Sequence, residues 1–561
     1  MHIGIGMHVA IRRFTHGVIA ASLAVLLWAA RPVHAQFDPA REYRESDAVA
    51  ARFPDPAVEI DSPAFRRPHE GFTTQEELMA HVARLSATSP RLQVRSLGVS
   101  QEGRELPILI FSSPAPGRAS ELARNGKPTV LIIGQQHGNE PAGGEAALAL
   151  AAELAGGTLD ALLERINVLI VPRANPDGAA HFVRELADGT DANRDHVLTA
   201  SPEAQALARV FADYQPEVVL DCHEFSVARR WLEKFNAVQG YDAMIQFATV
   251  ANLPSSLMDA AEQWFRRPLI ESLEQAGYRT SWYYTTSYDP ADKRVSMGGV
   301  VPDTGRNVAG LRNAVSFLIE TRGVNIGRAH FKRRVATTLH AMKTILFLAA
   351  QRASGLTQLA RELREETAKR AGVGEMVILS SAAAEKHELI FLDPETGAAK
   401  PVTVEWRSAL RIESRLTRPR PFGYLLPASE GGAAKRLQRL GITVLQMQEA
   451  AELAAERYVV TTMDSGKKED VRRVDAESAP DIVKLTTRLE PTALRAARGD
   501  FYVPLNQPLA NLIAAALEPE AQSSFAANRI LTLSAAGQDP SLPLYRLRVR
   551  PSAPMTVWEP R

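Results

Sequence analysis

The sequence predicts an α/β protein: a mixed, mostly parallel twisted sheet flanked by helices, followed by a smaller mixed α/β C-terminal domain. Three observations predict it. Strand-length stretches with apolar centres stand at 130–134, 166–171, 217–221 and 315–319. Between and after them lie segments with helical composition or period, at 142–150, 204–214 and 330–350, and strands alternating with helices argue for a parallel sheet covered on both faces. From about 375 the pattern changes to short apolar runs between turns, at 376–379, 389–392 and 402–406. A strand–helix–strand unit follows at 422–445, then a strand and helix at 499–517.

The elements read as follows in chain order. Arg12 and Arg13, an apolar stretch at 18–30 and Val33-His34-Ala35 have the form of a secretory leader over 1–35, which sends the mature chain to the periplasm or outside the cell. Residues 36–66, rich in Pro, Asp and Arg, read as an extended arm. Thr74 and Glu77 have capping-box spacing ahead of Leu78, His81, Val82 and Leu85 at helical period. Runs at 92–99 and 106–111 read as strands joined by the turn Glu102-Gly103-Arg104. Asn175-Pro176-Asp177-Gly178 is a turn. Residues 240–277 are mostly helical by period, and 353–374 form a charged helical connector to the domain at 375–561.

Composition excludes several classes. The 65 Lys and Arg residues are balanced by 64 Asp and Glu, for a net charge of +1. Such a chain has no electrostatic footprint for nucleic acid or an acidic membrane. The apolar part of the leader is too short to span a bilayer, so no stable membrane span is expected in the mature chain. Cys222 is the only cysteine; no intramolecular disulfide can form, and its apolar strand setting reads as a buried thiol. A metal-free hydrolase finds no support, because no Gly-x-Ser-x-Gly elbow occurs.

The functional signal lies at strand ends. In open α/β sheets ligands bind beyond the carboxyl ends of the strands. Three apolar runs here lead into metal-capable or acidic residues: His137 with Glu140, then His223, then Glu320. Two imidazoles and a carboxylate are a zinc ligand set that leaves one coordination position open. The alternative is a set of salt bridges at strand ends, with Glu320 paired to Arg322 or another basic residue.

Five motifs occur in order: His137-Gly138-Asn139-Glu140, Asn175-Pro176-Asp177-Gly178, Asp191-Ala192-Asn193-Arg194, Asp221-Cys222-His223 and Phe317-Leu318-Ile319-Glu320. With them, the sequence resembles the zinc metallocarboxypeptidases, the carboxypeptidase A-like enzymes, over about residues 67 to 350. The resemblance implies a carboxypeptidase-like domain at 67–352 holding one Zn²⁺ on His137, Glu140 and His223. It implies that Glu320 is the general base acting on a zinc-activated water. It places a substrate's terminal carboxylate on Asn193 and Arg194, where guanidinium and carboxylate geometries match. Arg184 is either the group that stabilises the oxyanion or a surface arginine. The family's closing tyrosine has no match shortly before Glu320; Tyr283, Tyr284 and Tyr288 are substitutes. Arg306, near the side-chain pocket segment, either favours an acidic terminal residue or is a structural ion-pair partner. His196 lines the site or belongs to the core. The implied partner is a peptide, or a peptide-like substrate with a free carboxylate. The alternatives are an amidase of cell-wall peptides and a non-catalytic peptide-binding protein on the same fold. Oligomeric state has no signature in the sequence.

Overall fold

The structure, a computed structural model, describes residues 37–66, 71–114, 119–470, 480–533 and 541–559. The leader predicted at 1–35 lies outside the described residues. The strands of the N-terminal part are β1 (Leu92–Val99), β2 (Glu105–Phe111), β3 (Thr129–Gly134), β4 (Asn167–Val171), β5 (Val218–Ser226), β6 (Ala243–Phe247), β7 (Thr280–Ser281), β8 (Arg294–Ser296) and β9 (Val315–Val324).

Eight of them form one sheet in the order β1-β2-β4-β3-β5-β9-β6-β7. Its centre, β4-β3-β5-β9, is parallel, while β1, β2 and β6 join antiparallel. Both faces of the centre are covered, which is why its strands read as continuous apolar runs. Val130 and Ile132 point to the face packed by helices Gln75–Thr88, Ala142–Ala155 and Phe331–Gln351. Leu131 and Ile133 point to the other face, against Leu207, Val210 and Phe211 of helix Pro202–Tyr214. The predicted capping box is present: Thr74 Oγ1 accepts from the Glu77 amide at 3.2 Å and Glu77 Oε2 from the Thr74 amide at 3.0 Å.

Several expectations need correction. The segment 240–277 is helical over residues 255–275, as its period predicts, but begins with Ala243–Phe247, a strand beside β9. A short apolar run carries no period that separates strand from helix, and the sheet edge decides it. The strands predicted to end at His223 and at Glu320 continue past them to Ser226 and Val324. The arm at 36–66 contains short helices and buries Val49 and Phe53 against Val227, Ala228 and Val238.

In the C-terminal part the short strands expected at 376–379, 389–392 and 402–406 merge into a ribbon of β10 (Glu375–Leu392) with β11 (Ala399–Pro419). Polar residues broke the apolar pattern because the ribbon is largely solvated, and only the paired backbone carries the strands on. β11 also pairs in parallel with β8, adding the ribbon to the N-terminal part. The other strands are β12 (Gly423–Leu426), β13 (Leu445–Met447), β14 (Ala451–Lys467), β15 (Asp481–Ala496), β16 (Phe501–Pro504), β17 (Ser541–Leu547) and β18 (Met555–Val557). They form a second sheet, β15-β14-β17-β12-β16-β13-β18. Its core takes in Val308 and Leu311 of helix Gly305–Leu311, so both parts of the chain share one apolar cluster. No helix of the described residues is long and apolar enough to cross a membrane.

One buried ion pair ties the arm to β9. Arg322 Nη1 and Nη2 reach the Glu45 carboxylate at 3.1 and 2.8 Å, and His330 Nε2 lies 3.0 Å from it. Burial raises the Glu45 carboxyl, but His330 and Arg322 outweigh it and bring it down to about 2. A depressed carboxyl contributes stability that is present above its unfolded value near 4.5 and is lost as pH falls towards 2. Glu45→Gln is therefore expected to cost about 3 kcal/mol in urea unfolding at pH 7. The gap between variant and parent should shrink as the pH is lowered from 4.5 towards 2.

Candidate metal centre and cleft

The loop after β3 carries His137 and Glu140, and close backbone packing sets its path. A Cβ on Gly138 would sit 1.8 Å from the carbonyl carbon of Gly178, so only glycine fits where this loop meets the Asn175-Pro176-Asp177-Gly178 turn. That turn has two tasks. Asp177 accepts from Ser100 Oγ at 2.6 Å, the Glu102 amide at 2.9 Å and Arg104 Nη1 at 2.7 Å, fixing the β1–β2 turn. Asn175 Oδ1 caps the Gly178 amide at 2.8 Å, and its Nδ2 donates to the carbonyls of Arg184 and Glu185, setting the backbone from which Arg184 projects.

β5 brings the second imidazole. Successive side chains on a strand alternate faces, so Asp221 and His223 share one face and Cys222 takes the other. Cys222 is buried beneath the helix Ala142–Ala155, where Gly143 approaches so closely that an added Cβ would meet the Cys222 side chain at 2.9 Å. Burial pushes its thiol well above the usual range, which removes it as a nucleophile.

His137, Glu140 and His223 converge. His137 Nδ1 lies 2.9 Å from Glu140 Oε1 and 3.0 Å from His223 Nδ1, and His223 Nδ1 lies 2.9 Å from Glu140 Oε2. Ligands held at about 2.0–2.2 Å around a tetrahedral zinc are separated by roughly 3.3 Å, so the two nitrogens, each with one oxygen of the Glu140 carboxylate beside it, stand slightly closer together than in that shape. The outer nitrogens are held by carboxylates. Asp191 Oδ1 is 3.1 Å from His137 Nε2, and Asp221 Oδ1 is 2.7 Å from His223 Nε2. Each pairing aims Nδ1 inward and makes it more basic. Burial lowers the His223 imidazole, yet Asp221 and Glu140 outweigh it and push it up to about 10. Burial raises Glu140, and the two imidazoles bring it well below the usual carboxylate range. The carboxylates that draw a proton to this site also favour a metal cation there, which would bind as the proton leaves. The sequence assigns Asp191 and Asp221 no task, because only the fold brings each carboxylate within reach of a histidine ring.

Glu320 arrives by register. In the parallel pair β5–β9, His223 stands opposite Glu320, which places their backbones about 4.8 Å apart. Glu320 is buried and lines an open cleft together with Glu140, Arg184, Tyr283 and Tyr288. Arg322, offered above as its salt-bridge partner, is gripped by Glu45 instead. The guanidinium of Arg184 reaches Glu140 Oε1 at 3.1 Å and Asp191 Oδ2 at 2.9 Å.

The other sequence candidates divide. Asn193 is beside the metal set, its Nδ2 3.2 Å from His223 Nε2. Arg194 is next to it, but its guanidinium meets Asp470 of the C-terminal part at 2.7 Å. Arg306 is buried and donates to the Gly299 carbonyl at 2.9 Å; it is not among the residues lining the cleft. Tyr284 donates its hydroxyl to Gln239 at 2.7 Å inside the wall, while Arg230 stacks on Tyr288 at 4.4 Å. His196 is buried on Gln136 at 2.9 Å, and burial brings it down to about 4, as a core histidine.

A two-histidine, one-glutamate centre with a buried carboxylate beside it, at the carboxyl ends of a parallel sheet, defines a single-metal hydrolase. Residues 78–289 match the zinc carboxypeptidase family, a span that includes His137, Glu140 and His223 and ends before Glu320. Carboxypeptidase 2 of Trichophyton equinum is 29% identical over 524 residues, covering 90% of this chain and 94% of that protein, so the likeness runs into the C-terminal part. Carboxypeptidase E of Caenorhabditis elegans is 33% identical over 135 residues, 23% of this chain and 26% of that one. Among solved structures, carboxypeptidase A of Helicoverpa armigera aligns with a TM-score of 0.40 at 18% identity, over 54% of this chain and 79% of that chain. Residues 78–289 are thus a zinc carboxypeptidase domain, and the chain is a metallocarboxypeptidase with zinc as its metal.

Replacing Asp191 by Asn keeps the shape of the outer contact and removes its charge. Zinc affinity, measured by competition with a chromogenic chelator, should fall about 10–100-fold.

Proposed function

We propose that the chain is an exported carboxypeptidase that hydrolyses the last peptide bond of peptides through Glu320 acting beside a zinc ion on His137, Glu140 and His223. The observation that carries this reading is the β5–β9 register, which sets the one cleft-lining carboxylate of β9 next to a metal ligand. Zinc in such a site is a Lewis acid that polarises a carbonyl and makes water acidic near neutral pH. Glu320 takes the proton of the attacking water and passes it to the leaving amine. Arg184, at the mouth of the set, turns its guanidinium to the oxygen on which charge develops. Asn193 and Arg194 hold the substrate's terminal carboxylate, which fixes the scissile bond one residue from the end. Residues 67–352 are the catalytic domain, 353–374 a connector, and 375–561 an accessory domain that braces the cleft: Phe391 and Trp406 of the β10–β11 ribbon pack on Trp231 and Tyr284 of its wall.

Metal analysis with a C-terminal peptide-library digest tests this. One zinc per chain is expected, with loss of hydrolysis on chelation and recovery on adding zinc. Glu320→Gln should keep the metal and lower kcat by about 10²–10⁴-fold; unchanged hydrolysis would remove Glu320 from the mechanism. Arg184→Ala should lower kcat about 10²–10³-fold, with a smaller change in KM.

A further inference from the structure

β14 and β15 pair from Ala451↔Ala496 to Lys467↔Asp481, a ribbon roughly 50 Å long at about 3.3 Å per residue. The residues just past its end lie against Arg194 and Asp303. The Lys468 amide donates to the Pro480 carbonyl at 2.9 Å, and the Glu469 amide to Gln522 Oε1 at 3.1 Å, so this stretch is anchored to the C-terminal part. From that anchor the Lys468 ammonium reaches Asp303 Oδ2 at 2.6 Å and lies 3.5 Å from the Arg194 carbonyl. Two residues on, Asp470 Oδ2 accepts from Arg194 Nε at 2.9 Å and meets Nη2 at 2.7 Å.

The place of these two pairs is defined by Asn193. Its Oδ1 accepts from the Gly305 amide at 2.6 Å, and its Nδ2 reaches the His223 ring. One side chain thus separates a metal ligand from the turn that carries Asp303. The carboxylate of Asp303 is 1% exposed and accepts no hydrogen bond among the described groups; it meets the Lys468 ammonium as an ion pair. A buried carboxylate that backbone amides do not support contributes little to folding by itself and is set up to receive a cation. A peptide ending in lysine or arginine presents the same two charges as Lys468 and Asp470: a side-chain cation and, a short distance away, a carboxylate.

We propose that Asp303 and Arg194 are the two poles of the subsite for the substrate's last residue. The subsite takes a lysine or arginine end, and Lys468 and Asp470 occupy it in the resting enzyme until substrate displaces them. This rests on the carboxypeptidase reading and names its substrate class. It reverses the acidic preference that Arg306 pointed to in the sequence, since Arg306 turns to the Gly299 carbonyl while the buried anion of Asp303 faces the C-terminal part.

The test uses the full-length zinc enzyme and matched peptides ending in Lys, Arg, Phe or Glu. The parent should release Lys and Arg at least ten-fold faster in kcat/KM than Phe or Glu, and Asp303→Asn should abolish that ratio. In the double variant Lys468→Met, Asp470→Asn, KM for the Lys-ended peptide should fall about five-fold or more with kcat little changed. Unaltered preference in Asp303→Asn, or an unaltered KM in the double variant with only a change in melting temperature, would reduce both contacts to bolts between domains and overturn the proposal. Should Asp303→Asn fail to fold, the double variant decides. Calorimetric binding of the same peptides to Glu320→Gln reads the subsite without turnover. Absence of hydrolysis at every terminal residue then counts against the carboxypeptidase reading, while equal binding of Lys- and Phe-ended peptides counts against this one.

Discussion

Two imidazoles can face one cation only while something else holds their outer nitrogens. Here Asp191 and Asp221 do so, and both carboxylates are buried. Much of the surrounding structure answers the demands of that pair of contacts. Asp191 is itself gripped by Arg184, and Asp221 accepts from Gln136, so both carboxylates behind the histidines are held in turn from outside the metal set. Loss of either carboxylate frees a ring to turn, and a turned ring removes a ligand.

The sheet supplies the second requirement, which is registry. A parallel pair keeps neighbouring residues at one level over its whole length, so His223 on β5 and Glu320 on β9 stay side by side without any loop to position them. Rigid strands are a better mount than loops for groups that must hold their distances closely. The loop-borne members, His137 and Glu140, compensate by the tight contact of Gly138 with the Asn175-Pro176-Asp177-Gly178 turn, which leaves their backbone one path.

The C-terminal part is continuous with this arrangement. One of its ribbons extends the structure through β8 and stacks aromatic rings behind the cleft wall. The other brings Lys468 and Asp470 to Asp303 and Arg194. Regions that share a core cannot shift separately without opening it, so what happens in the C-terminal part is felt at the site.

The order of elements, the parallel centre of the sheet and the three metal-capable residues were legible in the chain itself, because buried strands, helix caps and ligand types leave local marks. Val130 and Ile132 announce a buried strand, and Thr74 with Glu77 announces a helix start, whatever lies around them. The polar ribbons, the strand at Ala243–Phe247 and the run of β5 and β9 past His223 and Glu320 were not legible, since hydrogen bonding to a neighbour, not local composition, makes those residues strands. The tasks of Asp191 and Asp221, and the meeting of Arg194 with Asp470, were decided only by tertiary structure. Charges separated by up to 276 positions have no preference for one another in the sequence, and acquire one only when folding brings them within hydrogen-bonding distance and shuts water out.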